Sequence, residues 1–237
     1  MVYSINRRGS VDSFIIYKDD FAEISEIISR VNYCLRNQLG FSLVRVGDAE
    51  NQVMAQGTII AENEIAEIWW AEDENWTGVT LPNYPARDRL LDAVQKADIV
   101  GVLHQDEVFI WKPLTEAVFS HYNIKPRQLC YAFINTYLPK SDQFISLLQH
   151  YRLLLIGKAA RSLALLLQEK YGIEVAGTIS ISNYSELEWV MEESSKLDFD
   201  LALISAGTNA VILAVELAAQ GKVAIDLGRG MHLEFWE

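Results

Sequence analysis

The chain reads as short apolar runs separated by amphipathic stretches. Phe41, Leu43, Val44 and Val46 form a run too brief for a helix, so a buried strand is predicted there. Similar runs predict strands over 99–103, 129–134, 153–156, 175–181, 201–204 and 223–225. Between them, apolar residues recur at helical spacing. Phe21, Ile24, Ile27, Ile28, Val31 and Leu35 share one face of a helix expected to open at Asp19 or Asp20, good N-caps, and to run to about residue 37. Gly40 closes that unit. Further helices are predicted over 51–73 (broken near Gly57), 86–97, 111–122, 142–150, 162–171, 184–197 and 211–220. Pro113 falls in a first turn, where it is tolerated, and Gly172 and Gly221 end their helices. Leu81-Pro82-Asn83-Tyr84-Pro85 is a stiff loop, because proline fixes its own φ and biases the residue before it. Trp69, Trp70 and Trp76 precede it, either pinning it to the core or stacking on a sugar or base. Strands alternating with helices imply crossover units. The expected architecture is α/β and Rossmann-like: one domain over 18–237, a largely parallel sheet with helices on both faces, and an N-terminal arm over 1–17.

Composition narrows the function. A chain of 237 residues, half of them hydrophobic and 22% charged, affords one α/β domain with a sizeable core. The net charge of −12 disfavours nucleic acid and anionic lipid as partners. It leaves room for an anionic small substrate, since a bound metal reverses the field within a cleft. Cys34 and Cys130 make neither a disulfide framework nor a cysteine-rich zinc site. Arg7 and Arg8 have no apolar stretch behind them, and no run approaches the ~20 apolar residues of a membrane helix. A cytoplasmic protein is expected.

The strand at Phe41 enters a glycine turn, Gly47, and delivers Asp48 and Glu50. In an extended segment residues two apart point the same way. Two facing carboxylates are tolerated around a cation, and hard divalent ions such as Mg²⁺ or Mn²⁺ take one or two carboxylates plus substrate phosphates. The same acids also suit the first turn of a helix through its dipole. Three later turns carry small and polar groups: Gly157-Lys158-Ala159-Ala160-Arg161, Ser205-Ala206-Gly207-Thr208-Asn209 and Asp226-Leu227-Gly228-Arg229-Gly230. A glycine between a strand and a helix N-terminus lets backbone N–H groups face an anion, and Lys158 and Arg161 add charge. None of the three is a complete dinucleotide or P-loop motif. His104, with Asp106 and Glu107, follows the strand at 99–103 and faces a possible cleft. His232 and Glu234 are two apart in the tail. They either share a site as base for a sugar hydroxyl or belong to a polar tail fastened by Phe235 and Trp236.

Arg45-x-Gly47-Asp48-x-Glu50 resembles the Arg-x-Gly-Asp-Gly-Glu motif of the bacterial GT-D fold glycosyltransferases. The Gly207-Thr208 turn, the Ala/Leu-rich helix after it, Gly221 and Ala224-Ile225-Asp226-Leu227-Gly228 are similar to that family's closing segment. Leu233-Glu234-Phe235 resembles its acidic–aromatic end. Ala49 stands where the family has the middle glycine. Arg229 stands where it has a histidine, and His232 follows three residues later. The resemblance implies a Rossmann-like hexosyltransferase that holds Mn²⁺ or Mg²⁺ on Asp48 and Glu50. Its donor would be a nucleotide-diphosphate sugar, a UDP-sugar, and its acceptor a glycan or glycoprotein. The donor would be held around Arg45, Gly47, Gly157, Lys158, Arg161, Ser205, Gly207, Thr208, Asn209 and Asp226. Glu234 or His232 would activate the acceptor hydroxyl. The Arg229 departure motivates an alternative, a module that binds a nucleotide sugar without turning it over. A third reading is another Rossmann enzyme, such as a methyltransferase, with the acids serving a ribose.

Overall fold

The computed structural model describes residues 14–104 and 111–236. Most of the expected N-terminal arm, residues 1–13, lies outside the described residues, as do Asp106 and Glu107. What is described of the arm docks on the molecule: Phe14 N–H donates to Ser120 Oγ at 2.9 Å, and Ile16 is buried.

The apolar runs become seven strands: β1 (Phe41–Arg45), β2 (Ile99–Val102), β3 (Leu129–Tyr131), β4 (Leu153–Gly157), β5 (Val175–Ile179), β6 (Leu201–Ser205) and β7 (Val223–Asp226). They form one sheet in the order β3-β2-β1-β7-β6-β4-β5, and every pairing is parallel. Parallel neighbours need crossover connections, and these are the helices. They are α1 (Ile24–Arg36), α2 (Asp48–Ala55), α3 (Glu62–Ile65), α4 (Glu74–Thr77), α5 (Tyr84–Lys96), α6 (Trp111–Tyr122), α7 (Ile134–Tyr137), α8 (Asp142–Leu148), α9 (Ala160–Tyr171), α10 (Leu187–Ser195) and α11 (Asn209–Ala219).

Covering both faces makes the strands apolar on both sides. Val44, Val100, Val102, Leu154, Ile156, Ala202 and Ile204 face a core shared with α2, α5, α6, α10 and α11. Leu43, Ile99, Leu153, Leu155, Leu201, Leu203 and Ile225 face the opposite core, with α1, α8, α9 and Trp236. Connections that travel the same way along the sheet share a face, as crossovers of one hand require. This is the expected Rossmann-like fold with helices on both faces.

Two crevices follow from the topology. The chain leaving β1 turns onto one face, into α2. The chain leaving the neighbouring β7 turns onto the other, where Leu227, Met231 and Trp236 are buried. Likewise β4 leads to α9 on one face and adjacent β6 to α11 on the other. Open α/β sheets bind ligands where adjacent carboxyl ends part in this way.

Several boundaries differ from the sequence expectation. The first helix begins at Ile24, not at Asp19 or Asp20: those two lie in a 3₁₀ turn, Lys18–Asp20, after which Phe21 is extended beside β3 and Ala22 N–H donates to Leu129 O at 2.8 Å. Its new start is closed by Glu26, which accepts from Glu23 N–H at 2.9 Å. The stretch expected as one broken helix over 51–73 is two short helices, the first starting earlier, at Asp48, and a third follows it at Glu74–Thr77. Gly57, with φ +70°, turns the chain after it. β3 stops at Tyr131, before the expected 134, because residues 134–137 coil into α7. Gly40 is needed for a close pass rather than a cap, since a methyl there would collide with the Ala218 carbonyl.

Candidate active site

The β1/β7 crevice is built on a buried ion pair. Arg45 ends β1 and Asp226 ends β7. The guanidinium donates through Nη2 to Asp226 Oδ1 at 3.0 Å and through Nε to the Asp226 carbonyl at 3.1 Å. Asp226 is 1% exposed. Two glycines make room for the pair. At Gly101 a methyl would press on Arg45 Cγ at 3.2 Å, and at Gly228 it would collide with Arg45 Nη2. The sequence separates Arg-x-Gly-Asp from Asp-x-Gly by most of the chain, and the fold joins them into one unit.

Beside this pair the chain turns at Gly47 and starts α2. Asp48 and Glu50 are the first and third residues of that helix, not neighbours in an extended segment. The same-face argument from strand alternation therefore does not apply. Glu50 instead folds back, and its Oε2 accepts from Gly47 N–H at 2.9 Å. Such a cap satisfies a donor that the helix start leaves open. Asp48 is exposed and Glu50 half-buried. Ala49 is helical, so it occupies the middle position without strain. Asn51 follows and donates to Thr115 Oγ1 at 2.8 Å, tying α2 to α6.

The electrostatics are frustrated. Burial pushes the Glu50 carboxyl up to about 7, helped by the negative charges of Asp226 and Asp48 and opposed by Arg45 and by Gly47 N–H. Burial also raises Asp226, against the pull of Arg45. Burial works against the charge of Arg45 too, but Asp226 and Glu50 outweigh it and strengthen the guanidinium's hold on its proton. The result is a fixed cation facing more acid than it neutralises.

The second crevice lies between β4 and β6, paired up to Gly157 and Ser205. A methyl at Gly157 would collide with the Ser205 carbonyl, so the two strand ends approach closely there. Lys158 and Arg161 are exposed at the start of α9, and no side chain caps that helix. Its first N–H groups and both cations are thus available to an anion. Thr208 and Asn209 stand on the expected turn between β6 and α11, but their donors are used within the chain. Both are buried. Thr208 donates to the Thr77 carbonyl from N–H at 3.0 Å and from Oγ1 at 3.2 Å, and Asn209 Nδ2 donates to Gly78 O at 2.9 Å. A methyl at Gly207 would collide with the Thr77 carbonyl. At this corner the carbonyls of Thr77 and Gly78 take the donors of Thr208 and Asn209, and Gly207, Thr208 and Asn209 anchor the segment before α5.

His232, extended between two short 3₁₀ turns after β7, and Glu234, within the second of them, are both exposed. The tail continues to Trp236, which donates Nε1–H to Gly230 O at 2.7 Å and whose carbonyl accepts from Lys170 Nζ and Tyr171 Oη at the far end of α9. Among the described residues neither His232 nor Glu234 bonds Asp48, Glu50 or Arg45. His104 lies between the rings of Phe21 and Tyr131, each centred 5.4 Å away. Asn135 was not singled out from sequence, yet its Nδ2 donates to Leu227 O at 2.8 Å and fixes the exit from β7.

A family model for the GT-D fold-like domain matches residues 22–233. The chain belongs to the GT-D-like family. No curated protein matches it. Among solved structures, this GT-D-like chain is similar to one described as the highly conserved domain of unknown function 1792 with a distinct glycosyltransferase fold. Identity is 17% and TM-score 0.54, over 90% of this chain and 79% of that one. It is also similar to a new glycosyltransferase from Streptococcus sanguinis, at 18% identity and TM-score 0.52, over 88% of this chain and 82% of that one. Family and fold are thus those of glycosyltransferases. Among its described residues, no helix is long and apolar enough to cross a membrane.

Among the described residues of the GT-D-like chain, no three His, Cys, Asp or Glu side chains gather as a metal-binding group. Those described residues hold no complete protein cage for a metal. Asp48 and Glu50 form a partial, all-oxygen donor set, and such a set fits a hard divalent ion whose remaining ligands come from substrate phosphates.

Proposed function

We propose that this GT-D-like glycosyltransferase moves a hexose from a nucleotide-diphosphate sugar, a UDP-sugar, to a glycan or glycoprotein acceptor, with Mn²⁺ or Mg²⁺ held by Asp48 and Glu50. One observation carries this reading: Glu50 is held against its own charge, beside Asp48 and the Arg45–Asp226 pair, at a sheet crevice. A divalent ion there would supply Lewis-acid stabilisation of the departing diphosphate. The chain's own residues do the rest. Arg45 and Asp226 lock the ends of β1 and β7 and so orient the first turn of α2. Gly47 N–H holds Glu50 in position through Oε2. Lys158, Arg161 and the uncapped start of α9 supply positive potential that draws the anionic donor to this edge of the sheet, with Gly157 and Ser205 forming the floor of that crevice. Glu234 or His232, on the segment that leaves β7, serves as the base for the acceptor hydroxyl.

The binding-module reading also has a specific observation behind it. Arg229, His232 and Glu234 are all exposed, and neither His232 nor Glu234 bonds the carboxylate site among the described residues. One set of assays separates the two. UDP release from UDP-hexoses is measured with Mn²⁺ and with EDTA, for the wild type, Asp48→Ala and Glu234→Gln, and UDP affinity is measured in parallel. The transferase reading expects metal-dependent UDP release that Asp48→Ala reduces by at least about 100-fold. It also expects a loss of about 100-fold or more in Glu234→Gln if that carboxylate is the general base. Metal-independent UDP binding, unaltered by Asp48→Ala and without turnover, would sink it.

A further inference from the structure

The three tryptophans before α5 do not share one role. Trp70 is buried and donates Nε1–H to Gln52 Oε1 at 2.8 Å. Trp69 and Trp76 are 74% and 58% exposed, and their rings pack edge to face with centroids 5.0 Å apart. Pinning the segment to the core accounts for Trp70 and leaves the other two unexplained. Nor is their backbone loose. Thr77, directly after Trp76, accepts from Thr208, and Gly78 accepts from Asn209. Two large rings are thus held in water by a tightly anchored segment, and an exposed apolar patch with a polar rim marks an interaction site.

We propose that Trp69 and Trp76 form a stacking platform for a pyranose ring of the acceptor glycan. The proposal rests on the transferase reading above and deepens it by locating the acceptor. Position is the first argument. Asn75 Oδ1 lies 3.5 Å from Lys158 Nζ at the end of β4, and Thr77 sits on the turn that follows β6. The pair therefore stands at the rim of the β4/β6 crevice. β6 and β1 flank β7, so ordinary strand spacing puts about 10 Å between the β6 and β1 corners. That is the reach of a diphosphate and one sugar. Chemistry is the second argument. A pyranose offers a C–H face to an aromatic ring and hydroxyls around its edge. The exposed carboxylates of Glu67, Glu72 and Asp73 in the same segment are acceptors for such hydroxyls. The same acids repel an anionic membrane. Two rings also fall well short of the roughly 800 Å² per side of a stable protein interface.

The test titrates the full chain with three neutral trisaccharides, maltotriose, cellotriose and chitotriose, following tryptophan fluorescence and heat. Wild type is compared with Trp69→Ala, Trp76→Ala and Trp76→Phe. The substituted positions face solvent, so the variants are expected to fold. At least one trisaccharide should bind the wild type, and each alanine variant should weaken it about tenfold or more. Trp76→Phe should retain affinity within about threefold. UDP-sugar binding in Mn²⁺ should stay unchanged in all three variants. No trisaccharide binding at ~10 mM, or binding that the alanine variants leave intact, overturns the proposal. So does a wild-type dimer that dissociates in Trp69→Ala without any sugar effect, because the pair would then be a contact between copies. Trisaccharide binding through the tryptophans in a chain that never releases UDP would leave the platform standing and defeat the transferase reading instead.

Discussion

Glu50 holds a carboxyl where the surroundings oppose its charge. Its ordinary value is 4.5, and burial with Asp226 and Asp48 carries it to about 7. Between those values the folded chain keeps a proton that the unfolded chain has lost. Stability of the metal-free protein therefore falls as pH rises through that window, by about 3 kcal/mol in all. Glu50→Gln keeps an oxygen for Gly47 N–H and removes the ionisation. In EDTA its melting temperature should exceed that of the wild type at pH 8 and match it near pH 4.5. A wild type that is the more stable at pH 8 would show that Glu50 is not charge-strained. The Gly-Asp-Ala-Glu stretch did not reveal this from sequence. Its spacing suits an extended turn and a helix start equally, and the choice is made by one side chain capping Gly47. Arg45 was legible as a residue beside acids. That its main partner is Asp226 was not, because nothing local links them.

At the scale of elements, the turn between β6 and α11 shows why glycine-rich corners mislead. Ser205, Gly207, Thr208 and Asn209 have the composition of a phosphate cradle, and the same donors serve equally well on a neighbouring carbonyl. Here Thr77 and Gly78 supply those carbonyls. Asn209→Ala removes a buried donor and leaves Gly78 O without it, at a cost of about 1–3 kcal/mol. Amide exchange across residues 74–80 should quicken accordingly, measured by mass spectrometry, while that of β4 should not. Equal protection in the variant would show that the segment is held by something other than this turn. Helix existence was read well from periodicity, in α5, α9 and α11 above all. The start of α1 was not, because pairing of Ala22 with β3 overrides the capping preference of Asp19 and Asp20.

For the whole molecule, alternation of strands and helices announced a parallel sheet, and a parallel sheet it is. Strand order was beyond the sequence, since spacing says nothing of where a strand inserts. β7 sits between β1 and β6, joining the half built from β1 to β3 with the half built from β4 to β6. The Arg45–Asp226 pair fastens that seam at its carboxyl end. Asp226→Ala takes away the carboxylate that Arg45 Nη2 bonds and leaves Glu50 facing the guanidinium, so a cost of about 1.5–3 kcal/mol is expected. Thermal melting should show a lowered transition for the whole sheet. An unchanged midpoint would mean that the seam is held elsewhere.

The seam strand is also the last of the seven along the chain. On a ribosome, six strands emerge before the piece that unites them, and parallel pairings between distant segments are slow to form. Until β7 arrives, Arg45 lacks Asp226, the partner that fixes its guanidinium beside Glu50. Ordering of the candidate site and completion of the sheet would therefore arrive together, once β7 has emerged and paired.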